Sequence, residues 1–380
     1  MLLLHEQNLS PEAIVEAVSS ILHGAGSGCN ATFEGAYGGD EYHVFRVSFS
    51  DMPSVCLRVE HARHEDAPQA ILDRVEGERR MYERLGKVDF HWSTRLVGAS
   101  LSFANPIGYP FLVLDFAGEE RLRWTDEVPR QPARAALLRR LAEIHMQLVQ
   151  RTLETRTWLI LNSLKRKEIK KGGEGQDGGE GQDGGEGKGD MTAYEYFEQK
   201  IQRRLTRIRQ GNLPELAEQD VLDQLALLPR VLGQDRNNRL FAMEHGDLKA
   251  ESIISSGEQF TIEAIVDWGT AEMVPIMQAA RLPPLLRCES ADDVPTETML
   301  RDRESYVAVA AGAAAAGAAT ASAGKDTSAA TAAAAMRKAQ GGLNVDFRTL
   351  YLESIKSEGM LASMARAGWR LPYSELGGED

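Results

Sequence analysis

Two aspartates, each following a short apolar run, are the strongest candidates for residues that take part in a reaction. Asp247 closes the tripeptide His245-Gly246-Asp247, and Asp267 opens the tripeptide Asp267-Trp268-Gly269. One carboxylate can accept the proton of a hydroxyl group, while a second can hold a metal ion that neutralises phosphate charge. The pair therefore predicts a reaction site, and the alternative is an ordinary hairpin that carries its acids incidentally.

The segment between the two aspartates predicts a β-hairpin. Residues 253–254 form a short apolar strand, residues 255–258 form a turn, and apolar residues alternate with polar ones over residues 260–266. Alternation of this kind is typical of a half-buried strand. Because a hairpin brings its two ends together, we expect Asp247 and Asp267 to face each other across a small gap.

The stretch from His245 to Trp268 resembles the motifs H-G-D-x-x-x-x-N and I-x-D-W of the aminoglycoside phosphotransferase and choline kinase-like family, especially its fungal-type branch. The resemblance implies an α+β, bilobal protein kinase-like fold with a small antiparallel-sheet N-terminal lobe and a mainly helical C-terminal lobe. It also implies that Asp247 is the catalytic base within the His245 motif and that Asp267 binds Mg²⁺. The family's Asn falls on Ser252, whose hydroxyl would be a weaker second metal ligand.

Upstream residues match the nucleotide-binding parts of the family more loosely. Three glycines, Gly35, Gly38 and Gly39, lie between two predicted strands. The resemblance implies that their loop holds nucleotide phosphates through backbone amides, and a plain hairpin turn is the alternative. Arg58 stands in the third strand where the family usually has a Lys. Its planar guanidinium can hold phosphate oxygens, whereas an exposed strand arginine is the other interpretation.

Two further positions follow from the resemblance. Glu78 lies on the predicted helix 69–86, where the family has a glutamate that pairs with the basic strand residue, and Glu76 is its close competitor. Asp115 and Phe116 end an apolar strand that would lead into the linker between the lobes. Their backbone groups would meet the adenine edge of the nucleotide.

Composition and periodicity divide the chain into two predicted domains. Residues 1–115 would form the N-terminal nucleotide-binding lobe, and residues 116–380 the C-terminal catalytic and substrate lobe. Two low-complexity inserts interrupt the second domain, a glycine-rich acidic one at 165–190 and an alanine-rich one at 308–340. Segments of this kind bury too little apolar surface to pack, so both are predicted to be disordered.

Charge and cysteine content restrict the class of partner. The 380-residue chain has a formal net charge of -13, which argues against nucleic-acid binding and against an anionic membrane surface. The same charge is compatible with a cationic substrate. Its three scattered cysteines predict a reducing compartment, and no signal peptide or transmembrane segment is predicted. We therefore expect a cytoplasmic protein.

These features predict an enzyme that moves a phosphoryl group from ATP, with Mg²⁺, to a hydroxyl group of a small molecule. The alternative is a catalytically impaired, kinase-like module that binds nucleotide or another protein. Three departures from the family motivate that alternative, namely Ser252, Arg58 and the loose glycine loop. A protein-substrate kinase fits less well, because no activation-segment pattern follows Asp267.

Overall fold

The computed structural model describes residues 7–23, 30–39, 41–62, 66–154, 191–257, 260–321, 327–340 and 345–371. The predicted insert at 165–190 lies outside these residues. The chain divides into two compact units, Met1–Ala133 with His245–Ala271, and Arg134–Glu244 with Glu272–Asp380. The aspartate hairpin belongs to the first of these units, while the predicted domain boundary at residues 115 and 116 stays a prediction.

The chain passes from the first unit to the second, returns to the first for residues 245–271, and ends in the second. In chain order the strands are β1 (Ala31–Gly38), β2 (Tyr42–Phe49), β3 (Val55–Glu60), β4 (Leu96–Ser100), β5 (Phe111–Asp115), β6 (Phe241–Glu244), β7 (Ile253–Ser256), β8 (Thr261–Ile265) and β9 (Glu272–Pro275). The α-helices are α1 (Pro11–His23), α2 (Pro68–Lys87), α3 (Ala133–Thr152), α4 (Ala193–Arg209), α5 (Glu218–Leu232), α6 (Ile276–Ala279), α7 (Glu297–Ala321), α8 (Thr327–Gln340), α9 (Val345–Ser354) and α10 (Glu358–Arg366).

The first unit is built on a five-stranded antiparallel sheet with the order β1-β2-β3-β5-β4. Every residue of β3 is buried, as expected for a central strand covered on both faces. Helix α1 begins directly after Ser10, which caps it, because the Ser10 hydroxyl accepts a hydrogen bond from the Ala13 amide at 3.2 Å. The apolar side of this helix, with Ile14 and Val18, packs in the same core as the sheet.

The glycine-rich stretch is shorter as a loop than the sequence predicts. Strand β1 continues to Gly38, which pairs with His43 of β2, so Gly35 and Gly38 lie inside the strand. The turn is confined to the residues after Gly38, and the Gly39 amide donates to the Tyr42 carbonyl at 3.1 Å. The expectation of a loop from Gly35 to Gly39 is therefore wrong, because the strand ladder uses the backbone that the loop would need.

The predicted aspartate hairpin is confirmed as β7 and β8, which pair in antiparallel fashion. On β8, Ile262 and Ala264 are buried while Thr261 and Glu263 are exposed, as the alternation predicts. A short 3₁₀ turn, Ala250–Ser252, connects the residues after Asp247 to this hairpin.

The second unit is mainly helical and contains one two-stranded pair, β6 with β9. Its helices follow local signals, as at α4, where Thr192 and Glu195 form a reciprocal capping box. The prediction of an α+β chain with an antiparallel sheet and a mainly helical part is thus confirmed. Among the described residues, no helix is long and apolar enough to cross a membrane.

The predicted disorder over residues 308–340 is wrong for α8. This helix buries Ala332, Ala333, Met336 and Ala339, and Gln340 Nε2 donates to the Ala280 carbonyl at 2.8 Å. Small side chains at helical spacing allow close approach to a neighbour, so a run without large apolar residues can still pack.

Replacing Met336 by Ala tests whether α8 packs. Met336 is 0% exposed, so its truncation is expected to lower the free energy of unfolding by about 2 kcal/mol, since methionine-to-alanine changes in cores leave cavities. The neighbouring Arg337→Ala change is the control, because Arg337 is exposed. Urea denaturation measures both variants, and equal stability of the two would mean that residues 327–340 do not pack.

Candidate active site

One histidine ties the two aspartate loops together. His245 Nε2 donates to the Val266 carbonyl at 2.9 Å, and His245 Nδ1 accepts from the Asp247 amide at 3.3 Å. These partners require a neutral imidazole with its proton on Nε2. Because Val266 directly precedes Asp267, the backbones that carry both aspartates are held on either side of a single ring, as the hairpin argument predicts.

The turn between His245 and Asp247 requires glycine. Gly246 has a φ of +90°, and a Cβ atom there would lie 2.4 Å from the Thr270 carbonyl oxygen. Thr270 Oγ1 also donates to the His245 carbonyl at 3.1 Å. The loop after Asp267 therefore packs directly against the loop before Asp247, and only a residue without a side chain fits between them.

Ser252 links the Asp247 loop to the strand that precedes Asp267. Its hydroxyl donates to the Asp247 carbonyl at 2.8 Å, and its own carbonyl accepts from the Val266 amide at 2.9 Å. The side chain is only 3% exposed. Ser252 thus connects the same two loops as His245, and its role as a metal ligand stays a prediction.

Asp267 has the most unusual backbone in the site. Its φ of 68° and ψ of 53° lie in the left-handed region, which residues other than glycine seldom adopt. The following Trp268 is 1% exposed and donates from Nε1 to the Ile265 carbonyl at 2.9 Å, which anchors the turn. Strained backbone held by its surroundings is typical of functional sites, and here it presents a carboxylate that is 50% exposed.

Arg58 joins Asp267 to helix α2. Its Nη2 lies 2.7 Å from Asp267 Oδ1, and its Nε lies 2.8 Å from Glu78 Oε1. Arg58 is 8% exposed, so it is not the exposed strand arginine of the alternative interpretation. Between the two candidate glutamates, the structure pairs Glu78 with Arg58, while Glu76 pairs with two arginines of its own helix.

Arg58, Glu78 and Asp267 form a charge cluster whose net charge can be balanced by a bound cation. Burial, the largest single influence, lowers the pKa of Arg58, but Glu78 and the other acidic groups around it, Asp267 among them, together outweigh burial and raise that pKa, so the guanidinium stays charged. Burial raises the pKa of Glu78. With both acids ionised, one arginine faces two carboxylates, which leaves a net charge of -1.

Tyr42, at the start of β2, covers the Arg58 guanidinium. The centre of its ring lies 3.6 Å from Arg58 Cζ, which is a close cation–π contact. No pattern in the sequence pointed to this residue, since a tyrosine after a glycine turn is unremarkable until the strand register is known.

Solved structures similar to this chain carry names from the family that its motif resembles. A putative aminoglycoside phosphotransferase from Ralstonia eutropha JMP134 is 15% identical with a TM-score of 0.49, and 95% of this chain and 97% of that one are covered. A choline kinase from Cryptosporidium parvum Iowa II is 12% identical with a TM-score of 0.47, covering 95% and 93%. A Plasmodium vivax ethanolamine kinase is 13% identical with a TM-score of 0.46, covering 91% and 83%. No family model and no curated protein matches the sequence.

The backbone amides of Asp115 and Phe116 are already used within the first unit. The Asp115 amide donates to the Arg95 carbonyl at 2.9 Å, and the Phe116 amide donates to the Ser54 carbonyl at 3.2 Å. The Asp115 carboxylate pairs with Arg95, with Oδ2 lying 3.1 Å from Nε. Both amides already have acceptors, and the expectation that backbone groups of Asp115 and Phe116 meet an adenine edge stays a prediction.

Lys249 is a second residue that the sequence analysis missed. Its Nζ lies 3.1 Å from Asp247 Oδ1, and the two side chains are 54% and 40% exposed. It occupies a variable position of the motif, so the motif gave no reason to select it. Its position two residues after the expected base was the available signal, since a cation beside a reacting carboxylate can stabilise developing negative charge.

Proposed function

We propose that this protein transfers the γ-phosphoryl group of ATP to a hydroxyl group of a small molecule. In this reaction the acceptor oxygen forms a bond to the γ-phosphorus, and the bond from that phosphorus to the bridging oxygen breaks. ADP leaves with the electron pair of the broken bond, and the acceptor proton passes to a carboxylate.

The observation that carries this proposal is the imidazole of His245, which holds the backbones of both aspartate loops. Asp247 is half-exposed and would orient the acceptor and take its proton. Asp267 would face the phosphates, with its Oδ1 paired to Arg58. Catalysis of this kind depends mainly on positioning and on neutralising charge.

The Asp267 carboxylate fits a hard divalent cation. It is half-exposed, one of its oxygens is bound by Arg58, and the cluster has a net charge of -1 with both acids ionised. Among the described residues, no group of three or more acidic, histidine or cysteine side chains could hold a metal by itself. A single carboxylate suits Mg²⁺, which is commonly bound by one or two carboxylates together with substrate phosphates. When bound, it would neutralise the phosphate charge.

The acceptor is proposed to be a small hydroxylated molecule, and the formal net charge of -13 favours a cationic one. The same charge disfavours nucleic acid as a partner. We place the reaction in the cytoplasm, in line with the scattered cysteines. Cys56 and Cys288 are both buried.

A thermal-shift titration tests the nucleotide and metal site. Intact protein and Asp267→Asn are titrated with ATP, with and without Mg²⁺. We expect stabilisation of the intact protein that depends on Mg²⁺ and rises with ATP concentration, as binding to the folded state requires. We expect Asp267→Asn to lose it, because the neutral amide binds this ion more weakly than a carboxylate does. If ATP shifts neither protein, the assignment of Asp267 fails.

The impaired-module alternative is favoured by one observation, the buried Ser252 in place of the family's Asn. We expect Ser252→Asn to bring no gain in ATP turnover, because the serine hydroxyl already braces Asp247. Ser252→Ala is the matched variant and should lower turnover, since it removes a hydrogen bond worth about 1 kcal/mol. Formation of ADP measures both. A tenfold gain in Ser252→Asn would support the impaired module instead.

A further inference from the structure

The linker that follows β5 pairs with the aspartate hairpin. The Leu122 amide donates to the Ile253 carbonyl at 2.9 Å, and Arg121 lies opposite Ile254 in an antiparallel bridge. These linker residues therefore run beside β7 like a third strand. The pairing fixes the backbone of Arg121 within the unit that carries both aspartates.

The Arg121 side chain extends along the hairpin to the Asp247 loop. Its Nη1 donates to the Glu251 carbonyl at 2.5 Å. Glu251 lies between Asp247 and Ser252, and Ser252 links this loop to the strand that precedes Asp267. The guanidinium therefore lies at the end of the hairpin where the two aspartate loops meet.

Arg121 differs from the other cations of the site in its partner. Arg58 faces two carboxylates and Lys249 faces one, whereas Arg121 binds a neutral backbone carbonyl. A guanidinium has five N–H donors, so a single hydrogen bond leaves others for a ligand. Arg121 is also exposed, and a ligand can reach it from solvent.

The charges that act on Arg121 agree with a position near Asp267. Burial of part of the side chain has the largest effect on the pKa of Arg121 and lowers it. Of the charged groups around it, Asp267 has the largest effect and raises that pKa, while Arg58 lowers it. The net shift is downward, so these surroundings disfavour the cation, and a bound anion would stabilise it.

We propose that Arg121 binds the phosphate chain of the nucleotide. The inference rests on the proposed function, because it requires phosphates that lie beside Asp267. With both acids ionised, the cluster of Arg58, Glu78 and Asp267 is negative and by itself repels an anion. Arg121 supplies the positive charge that this cluster lacks, through the paired, charge-assisted hydrogen bonds that a planar guanidinium forms with phosphate oxygens.

Calorimetric titration of Mg²⁺·ATP and of adenosine, with the intact protein, Arg121→Gln and Arg121→Lys, tests the proposal. Arg121→Gln keeps a donor for the Glu251 carbonyl but removes the charge. It should bind Mg²⁺·ATP about 10-fold to 100-fold more weakly, the range that corresponds to a hydrogen bond to a charged group. Arg121→Lys keeps the charge and should lose less affinity. Adenosine has no phosphate and should bind to all three proteins alike.

Arg80→Gln is the matched control. The Arg80 side chain is 59% exposed on α2 and pairs with Glu76 of its own helix at 2.6 Å. Its replacement removes one positive charge from the same unit without touching Arg121, so the affinity for Mg²⁺·ATP should equal that of the intact protein. Circular dichroism and melting curves confirm that each variant is folded.

The outcomes separate this inference from the proposed function. If the intact protein and Arg121→Gln bind Mg²⁺·ATP equally tightly, the inference is overturned while the nucleotide site stands. The same holds if Arg121→Gln loses as much affinity for adenosine as for Mg²⁺·ATP, because Arg121 then only supports the shape of the site. It also holds if Arg121→Lys binds no better than Arg121→Gln. If the intact protein does not bind Mg²⁺·ATP, the proposed function fails and this inference fails with it.

Discussion

Replacing Asp247 by Asn is expected to lower the turnover number for phosphoryl transfer by about 10²-fold to 10⁴-fold, the usual contribution of a positioned general base. The amide cannot accept the acceptor proton, although it keeps the size of the side chain. Affinity for Mg²⁺·ATP should change little, because the cluster of Arg58, Glu78 and Asp267 is untouched. ADP formation with a panel of hydroxylated compounds measures the first effect, and calorimetry the second.

The control for this variant is Asp73→Asn. Asp73 is an exposed acid on α2 of the same unit, so its replacement removes one negative charge without touching the site. Loss of the pair with Lys249 should not unfold Asp247→Asn, because half-exposed ion pairs contribute at most about 1 kcal/mol. If Asp247→Asn keeps more than a tenth of the turnover, Asp247 is not the base.

Replacing Glu244 by Gln is expected to lower the free energy of unfolding by about 3–5 kcal/mol, the cost of breaking a buried ion pair from one side. Glu244 is 8% exposed at the end of β6. Its Oε1 binds Arg281 Nη2 at 2.6 Å, and its Oε2 binds Lys356 Nζ at 3.0 Å. The neutral amide leaves both cations without this countercharge. Urea denaturation at pH 7 measures the loss.

Glu143→Gln is the matched control for Glu244→Gln. Glu143 pairs with Arg140 at 2.7 Å in the same unit, but the two side chains are 44% and 46% exposed. Exposed pairs contribute little, so this variant should stay within about 0.5 kcal/mol of the intact protein. Equal losses from the two variants would show that burial does not decide the strength of the Glu244 pair.

The Glu244 cluster also predicts the dependence of stability on pH. Burial, the largest single influence, raises the pKa of Glu244, but Arg281, Lys356 and Arg287 together outweigh burial and hold that pKa well below its ordinary value of 4.5. A depressed pKa in the folded state gives stability that is complete above pH 4.5 and is lost as the pH falls toward the folded value. The stability gap between the intact protein and Glu244→Gln should therefore narrow from pH 7 to pH 4. Parallel profiles would contradict this.

Much of the fold follows from local patterns in the sequence. The antiparallel strands, the helices α1 to α5 and the aspartate hairpin arise from periodicity, caps and turn residues that act within a few positions. The low-complexity composition of α8 led to a prediction of disorder, but this helix buries Ala332, Ala333 and Met336 at helical spacing. A search for helical periodicity detects helix faces built of large apolar residues and overlooks faces built of small ones.

The glycine stretch and the linker show where local patterns stop. Gly35 and Gly38 predict a loop, but the pairing of β1 with β2 keeps both residues in the strand. Asp115 and Phe116 look available for a ligand, but their amides are used by other segments of the unit. In both cases the backbone group is hydrogen-bonded to another segment of the chain, and a local sequence pattern does not show which segment that is.

The two aspartates, the hairpin between them and the resemblance to phosphotransferases can be read from the amino-acid sequence. The left-handed backbone of Asp267, the pairing of Arg58 with Glu78 rather than Glu76, and the position of Tyr42 on the guanidinium are visible only in the folded protein. These contacts join distant parts of the chain, since the bond from Arg58 to Asp267 spans 209 positions. Contacts over such a distance depend on how every intervening element packs, whereas a hairpin depends mainly on its own residues.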